Sequence, residues 1–207
     1  MSTPLATVCV VDDDPSVLRA IGRLVRVAGW NVTTFSSPHE YLSQHNPDVP
    51  GCLVLDVRMP GLSGLELQQT LARSGNHVPI IFLTGNGDIP MSVRAMKSGA
   101  VDFLSKPCRD EDLLGAIQHA VERDQRLRRE RAESKSIDAR LAKLTPREQQ
   151  VMLGVVAGHM NKHIASRLGT VEKTIKVHRG RMMKKLGLRS VADLVRLAEK
   201  AGISVPK

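Results

Sequence analysis

The chain has 207 residues, which is enough for two small domains and a connecting segment. No apolar run approaches the roughly 18 residues that a membrane span requires, and the N-terminus lacks the basic and then apolar pattern of an export signal. We therefore predict a cytoplasmic protein without a membrane partner. The three cysteines are scattered without metal-ligand spacing and are expected to be free thiols, namely Cys9, Cys52 and Cys108.

The charge is divided unevenly along the chain. Residues 1–120 contain 9 basic and 12 acidic side chains, a net charge of −3, whereas residues 121–207 contain 21 and 9, a net charge of +12. A basic half joined to an acidic half indicates that the second half alone binds a polyanion such as nucleic acid.

Residues 1–121 show the rhythm of an α/β domain. Helical patterns separate short apolar runs, and the first of these helices is expected to be capped by Asp14, to have Pro15 in its first turn and to close at Gly29. This alternation predicts βαβ units and a doubly wound, five-stranded parallel sheet. The predicted strands begin near Thr7, Val32, Cys52, Val78 and Val101.

Four of these strands end in polar residues. Asp12 and Asp13 follow the first strand, Asp56 the third, Thr84 the fourth and Lys106 the fifth. Ligands of open parallel sheets bind at the carboxyl ends of the strands, so we expect these side chains to converge. Crowded carboxylates require a cation, and Mg²⁺ prefers their oxygens. An added ammonium and hydroxyl favour a site for phosphoryl transfer over a simple metal site.

The segments VVDDD, LDVRMPG, LTG and SKP, within residues 5–120, resemble the receiver domain of two-component response regulators, a flavodoxin-like fold. The resemblance implies that Asp56 accepts a phosphoryl group from a sensor histidine kinase. It also implies one Mg²⁺ per receiver domain, bound directly by Asp13 and Asp56, supported by Asp12 and completed by the backbone carbonyl of Arg58.

The same resemblance assigns roles to three further positions. Thr84 and Lys106 would contact the phosphoryl oxygens, Phe103 would be the aromatic switch residue, and the Lys106–Pro107 bond would be cis, an isomer available mainly before proline. The Gly- and Pro-rich loop after Thr84 is expected to move with the switch. Asn86 in this loop stands where relatives often carry His, which bears on the lifetime of the phosphorylated state.

A helix predicted to begin near Asp110 continues past the first domain. Residues 122–140 are mostly charged, and the pairs Glu122–Arg126 and Asp124–Arg128 have the spacing that stabilises a helix in solvent. We interpret residues 122–140 as a semi-rigid helical linker. A basic arm that binds nucleic acid is the alternative, but acidic residues are interleaved throughout.

Residues 141–207 are predicted to form an all-α domain of short helices. Thr145 and Glu148 have capping-box spacing at the start of the first, with Pro146 at its first position. The third helix is predicted to run from about Glu172 to Leu186 and is strongly basic. Short helices joined by a tight turn, with one basic helix, are typical of a helix-turn-helix DNA reader.

The segments LTPREQQV, NKHIASRLG, EKTIKVHRGRMMKKLG and RSVADLVRLA resemble the FixJ/LuxR-type (NarL-like) output domain. The resemblance implies that residues 161–179 form the helix-turn-helix and that the helix from Glu172 enters the major groove of double-stranded DNA. Val171 replaces the usual polar cap, so either Thr170 caps one residue early or the cap is weaker. His178 is expected to pack rather than to contact bases. The predicted DNA-binding residues are Lys173, Thr174, Lys176, Val177, Arg179, Arg181 and Lys184.

Together these features predict a response regulator that acts as a phosphorylation-dependent transcription regulator at promoter DNA. The expected partners are a sensor histidine kinase, a second copy of the chain after phosphorylation, and RNA polymerase. The protein is not expected to be an enzyme beyond removing its own phosphoryl group. Two other hypotheses are a Mg²⁺-dependent phosphatase with an Asp nucleophile and a DNA-binding regulator that is never phosphorylated.

Two modes of control remain open at the level of sequence. Phosphorylation either drives dimerisation through the receiver or relieves autoinhibition, in which the unphosphorylated receiver covers the basic helix. The opposite charges of the two halves favour autoinhibition, and the stiffness of the linker favours dimerisation.

Overall fold

The computed structural model describes residues 6–85 and 89–203. The chain divides into two compact units, Met1–Arg128 and Arg129–Lys207. No helix within the described ranges is both long enough and apolar enough to cross a membrane.

The first unit is the predicted α/β fold. Its described residues form five parallel strands in the order β2-β1-β3-β4-β5, with helices between them. Each strand begins within two residues of the predicted position. The elements are β1 Thr7–Val11, α1 Pro15–Val27, β2 Asn31–Phe35, α2 Pro38–Gln44, β3 Gly51–Leu55, α3 Gly64–Arg73, β4 Ile80–Thr84, α4 Ile89–Lys97, β5 Asp102–Ser105 and α5 Asp110–Leu141.

The sheet has a hydrophobic core on each face. Alternate strand residues such as Val10 and Val54 pack with Ile117 of α5 on one face, and Leu55 and Phe82 belong to the core on the other. Because β3 and β4 are buried along their whole length, they are apolar at consecutive positions instead of alternating.

The first helix begins as predicted. The side chain of Asp14 accepts a hydrogen bond of 2.7 Å from the backbone N–H of Ser16, and Pro15 occupies the first helical position. The carboxylate therefore satisfies one of the N–H groups that a helix leaves free at its start.

The pair Asp124–Arg128 differs from its prediction as a solvent-exposed helix pair. Arg128 Nε does lie 2.6 Å from Asp124, but the side chain of Asp124 is only 6% exposed. Its carboxylate also accepts a hydrogen bond of 2.9 Å from the backbone N–H of Gly51, at the start of β3. The pair therefore fastens α5 to the loop before β3, a contact that spacing along the helix cannot reveal.

The second unit is the predicted all-α domain. It contains α6 Pro146–Val156, α7 Asn161–Arg167, α8 Glu172–Leu186 and α9 Val191–Lys200, together with the last turns of α5. The observed bounds of α8 match the prediction, and the capping box of Thr145 and Glu148 is confirmed. Val151, Ile175 and Leu194 lie in its shared core.

The C-terminal turns of α5 pack against other helices within this second unit. Arg140 donates a hydrogen bond to the carbonyl of Leu186, the last residue of α8, and Glu133 pairs with Lys200 at 2.5 Å. Ile137 is buried. This part of the charged segment 122–140 therefore packs through Ile137 and Arg140, while most of its other side chains are exposed.

Candidate functional site

Two acidic residues meet at the carboxyl edge of the sheet. The last residues of β1 and β3, Val11 and Leu55, are partners across the central strand pair. Asp12 and Asp56 follow them and are 3% and 6% exposed. Parallel pairing in this register therefore places two buried carboxylates side by side.

Lys106 joins these two carboxylates. Its Nζ lies 2.5 Å from an oxygen of Asp12 and 2.8 Å from an oxygen of Asp56. The Lys106–Pro107 bond is cis, as expected, and the backbone N–H of Lys106 donates a 2.8 Å hydrogen bond to the carbonyl of Thr84. One ammonium thus faces two carboxylates, which leaves an excess of negative charge in the pocket.

The surroundings of Asp56 make its ionisation costly. Burial raises the pKa of Asp56 above its ordinary value, and the charge of Asp12 adds to this. A hydrogen bond from Lys106 and one of 2.6 Å from the backbone N–H of Arg58 act to lower the pKa of Asp56. They do not cancel the increase caused by burial. For Lys106, burial acts to lower the pKa, but the hydrogen bonds to Asp12 and Asp56 outweigh it and raise the pKa overall.

The metal ligands expected from the sequence do not form a closed cluster. Within residues 6–85 and 89–203, no three His, Cys, Asp or Glu side chains are placed to hold a metal ion together. Asp12 and Asp56 converge, whereas Asp13 is exposed. The carboxylate oxygens are nevertheless the ligand type that Mg²⁺ prefers, and the uncompensated negative charge fits a divalent cation.

The predicted switch residues lie in and beside β4 and β5. Thr84 is 1% exposed at the end of β4. Phe103 of β5 is half-buried, and its ring centroid lies 6.1 Å from that of Phe82. The expectation about Asn86 concerns residues 86–88, which are outside the described ranges.

Gly64 is a residue of this site that sequence reasoning missed. A Cβ atom at position 64 would lie 2.2 Å from the backbone carbonyl oxygen of Asp56, closer than any real contact. Its N–H donates a 3.0 Å hydrogen bond to the carbonyl of Val57. The sequence does contain a signal for Gly64. A glycine begins the helix that comes soon after the acidic residue at a strand end, and only glycine tolerates such a close backbone contact.

The second unit presents a basic helix surface. Of the predicted DNA-binding residues, Thr174 and Arg179 are half-buried, and Arg179 donates a 3.2 Å hydrogen bond to Asn161 on α7. Val171 makes no side-chain cap for α8, so the weaker cap is the correct alternative, and His178 is half-buried. The exposed members are Lys173, Lys176, Val177, Arg181 and Lys184.

An ion pair with a buried carboxylate, which the sequence did not reveal, supports this basic helix. Glu148, the capping residue of α6, is 2% exposed and accepts a 2.6 Å hydrogen bond from Lys185 of α8. Hydrogen bonds from Lys185 and from the backbone N–H of Thr145 lower the pKa of Glu148 to about 2. This carboxylate therefore both caps α6 and holds α8 against it.

Comparison with known families agrees with the geometry of both units. The model of the response regulator receiver domain matches residues 8–118, and the model of bacterial regulatory proteins of the luxR family matches residues 142–198. The chain therefore belongs to the two-component response regulators that join a receiver domain to a LuxR-type DNA-binding domain and act as transcription regulators. The predicted family is confirmed.

Similar proteins match nearly the whole chain. Nodulation protein W of Bradyrhizobium diazoefficiens is 53% identical, over 96% of this chain and 88% of the relative. Transcriptional regulatory protein FixJ of the same organism is 41% identical, over 94% and 95% of the two chains. Response regulator protein TmoT of Ectopseudomonas mendocina is 45% identical, over 97% and 91%.

Solved structures show the same architecture. The structure of response regulator StyR is 47% identical, covers 95% of this chain and 99% of its own, and gives a TM-score of 0.90. Full-length FixJ from B. japonicum is 39% identical, covers 98% of this chain and 100% of its own, and gives a TM-score of 0.58. The predicted fold class is confirmed.

The ion pair of Glu148 yields a prediction about stability and pH. Glu148→Gln should lower the stability of the second unit by about 1.5–3 kcal/mol at pH 7, because the charged hydrogen bond with Lys185 is lost. The pKa of Glu148 in the folded chain, about 2, lies below its ordinary 4.5. The stabilisation is therefore complete above pH 4.5 and disappears as the pH falls from there towards 2.

Amide hydrogen exchange of core residues Val151 and Ile175 in the full chain measures this effect within the second unit. Glu199→Gln, which changes an exposed acid on α9, is the matched control and should leave the protection unchanged. Equal protection of wild type and Glu148→Gln at pH 7 would show that the pair does not stabilise the domain.

Proposed function

We propose that this regulator is phosphorylated on Asp56 by a sensor histidine kinase and that phosphorylation controls its binding to promoter DNA. The observation that carries the proposal is the convergence of Asp12, Asp56 and Lys106 at the carboxyl edge of the sheet. Receiver domains generally bind Mg²⁺ at their phosphorylation site.

Asp56 is the proposed nucleophile because its buried carboxylate directly follows β3 and accepts hydrogen bonds from Lys106 and from the backbone N–H of Arg58. An oxygen of Asp56 attacks the phosphorus of the phosphohistidine, the P–N bond breaks, and the imidazole leaves with the electron pair. The hydrogen bonds from Lys106 and the Arg58 backbone N–H favour the ionised form that this attack requires, against the effect of burial on the pKa of Asp56.

Mg²⁺, when bound, would neutralise charge on the phosphoryl oxygens. We propose Asp13, Asp56 and the backbone carbonyl of Arg58 as its ligands, with Asp12 in support. Lys106 is proposed to leave its present carboxylate partners in part and to contact the phosphoryl group, as a compact cation does.

Thr84 and Phe103 are the proposed switch residues. Thr84 ends β4 beside Lys106, whose backbone it contacts, and Phe103 lies half-buried on the adjacent strand. If the Thr84 hydroxyl moved towards a phosphoryl oxygen, it would leave space into which the Phe103 ring could turn. This movement would change the surface formed by α4 and β5. We propose that this surface mediates dimerisation of two receivers.

The basic surface of α8 is the proposed DNA contact. Pairing of two helix-turn-helix units on two half-sites would roughly double the contacts that each makes alone. Side chains near the N-terminal end of α8 would reach base edges, and those further along would reach bases or phosphates. The proposed contacts are Lys173, Thr174, Lys176, Val177, Arg179, Arg181 and Lys184.

The remaining assignments follow from this function. We propose a receiver in residues 1–121, a helical linker in residues 122–140 and the DNA-binding domain in residues 141–207. A DNA-binding regulator works where the chromosome is, which supports a cytoplasmic location, and contact with RNA polymerase at the promoter is proposed on the same ground. No enzymatic role is proposed other than loss of the protein's own phosphoryl group.

Incubation with acetyl phosphate and Mg²⁺ should add one phosphoryl group to the wild-type chain, measured by intact-protein mass spectrometry. Asp56→Asn should remain unlabelled because the amide is not a nucleophile for this transfer. Asp48→Asn, a change of an exposed acid in the same unit, is the matched control and should be labelled like the wild type. Equal labelling of Asp56→Asn would contradict the assignment.

Two lysines of α8 should differ in their effect on DNA binding. Lys176→Ala should weaken binding to the specific operator by roughly 1–3 kcal/mol and relax sequence preference, because its position near the start of α8 reaches base edges. Lys176 forms an ion pair with Glu172 at 3.3 Å. Because this pair is exposed and therefore weak, it should not prevent Lys176 from contacting DNA.

Lys184→Ala, near the end of α8, should instead lower affinity for all sequences alike and reduce the salt dependence of binding. Fluorescence anisotropy with specific and scrambled duplexes at several salt concentrations separates the two patterns. Unchanged affinity and preference in Lys176→Ala would remove this residue from sequence readout.

A further inference from the structure

The basic helix α8 has a glycine, Gly180, at an exposed position in its interior. Glycine in the middle of a helix is destabilising relative to alanine, because its backbone loses more conformational freedom on folding. Glycine is useful where the backbone conformation, the packing of the chain or the close approach of another molecule leaves no room for a side chain. One of these three reasons should therefore account for Gly180.

Neither the backbone nor the packing of the chain requires glycine at this position. Gly180 lies within the helix and does not have a positive φ. Beyond its own helical turns, a Cβ atom built on Gly180 would meet no atom of the described residues within 4 Å. At Gly154 of α6, by contrast, such a Cβ atom would lie 2.9 Å from the side chain of Ile164. Packing therefore explains Gly154, whereas the close approach of another molecule is the reason that fits Gly180.

Gly180 lies at the centre of the exposed face of α8. Residues three, four and seven positions apart share a face of a helix. The buried residues of α8, such as Ile175 and Met182, are on the opposite side. The residues that share the face of Gly180 are exposed and mostly basic, namely Lys173, Lys176, Val177 and Lys184. The side chain is thus missing in the middle of the surface that we propose to contact DNA.

Val177, one turn before Gly180, shows what this missing side chain would allow. Its side chain is apolar and 46% exposed. A short apolar side chain reads a base only in direct contact, as with the methyl group of thymine in the major groove. The long lysines can instead reach phosphates at the sides of the groove. A side chain at position 180 would hold the helix away from the bases and separate Val177 from them.

We propose that Gly180 is a specificity-determining residue of the DNA-binding domain. Because it has no side chain, the backbone of α8 lies against the base edges of the major groove, and Val177 contacts the methyl group of a thymine. A side chain at position 180 removes this contact and leaves the contacts between lysines and phosphates in place. The proposal rests on the proposed role of α8 as the DNA contact.

Gly180→Ala and Gly180→Leu in the full chain test the proposal, because both new residues favour a helix more than glycine does but differ in size. The specific probe is a duplex that the wild-type chain selects from a random DNA library, and a scrambled duplex measures non-specific binding. Fluorescence anisotropy follows both after incubation with acetyl phosphate and Mg²⁺. Gly180→Ala should bind the selected duplex about fivefold more weakly and Gly180→Leu about 30-fold more weakly, with unchanged binding of the scrambled duplex.

Gly115 of α5 provides the matched control. It is also an exposed glycine inside a helix, and a Cβ atom there would meet no described atom within 4 Å beyond its own turns. Gly115→Ala and Gly115→Leu should therefore bind both duplexes like the wild type. Amide exchange of Val151 and Ile175 in Gly180→Ala should be about fivefold slower than in the wild type. A loss of DNA binding would then not result from unfolding.

A double-mutant cycle tests the role of Val177. Val177→Ala should weaken binding of the selected duplex in the wild-type chain and have no further effect in the Gly180→Leu chain, where the contact is already lost. Additive losses would contradict the proposed route through Val177.

Three results would overturn the role of Gly180. They are wild-type affinity of Gly180→Leu for the selected duplex, equal losses in Gly180→Ala and Gly180→Leu, which would indicate a need for flexibility instead of space, and equal losses on both duplexes. Lys176→Ala and Lys184→Ala on the same duplexes separate this failure from that of the proposed function. If both lysine variants bind like the wild type, α8 is not the DNA contact. If they bind weakly while Gly180→Leu binds normally, only the role of Gly180 fails.

Discussion

The contact of Lys106 with both Asp12 and Asp56 is the interaction on which the receiver depends. Two carboxylates that are almost fully buried repel each other, and an ammonium 2.5 and 2.8 Å away is what allows them to share one pocket. The sheet order brings this about, because β1 and β3 are neighbours and deliver both acids to the same edge. The sheet thus places two acidic side chains, Asp12 and Asp56, beside one basic side chain, Lys106.

Among the residues that the structure describes, buried carboxylates are paired with basic side chains in three places, with different consequences. Glu148 with Lys185 and Asp124 with Arg128 each match one acid to one base, and both pairs connect elements that are distant in sequence. In the pocket around Lys106, two acids share one base. Balanced pairs fasten helices, whereas the unbalanced pocket retains negative charge that suits a divalent cation.

Much of this architecture was predictable from local sequence. Strand starts, the bounds of α8 and the cap at Asp14 follow from apolar periodicity and capping chemistry, which act over a few residues. The convergence of Asp12, Asp56 and Lys106 followed from one topological rule about parallel sheets. The role of Asp124 was misjudged because its partner Gly51 lies 73 residues away. Periodicity along a helix does not identify a contact made across the fold.

The features that escaped prediction share this cause. The pairing of Glu148 with Lys185 spans 37 residues, and the close approach of Gly64 to the Asp56 backbone depends on how α3 begins beneath the strand end. Local rules thus specify the elements and the ends of the strands, and tertiary contacts decide which charges become buried pairs.

The stability of Lys106→Met, measured by urea unfolding without Mg²⁺, tests the central role of this contact most directly. Trp30, the single tryptophan of the chain, lies in the receiver and reports its unfolding by fluorescence. We expect Lys106→Met to destabilise the receiver at pH 7 by about 3 kcal/mol, since two buried carboxylates lose their cation. Asp12→Asn in the same chain should restore most of the loss. Wild-type stability of Lys106→Met would show that the receiver does not depend on this contact.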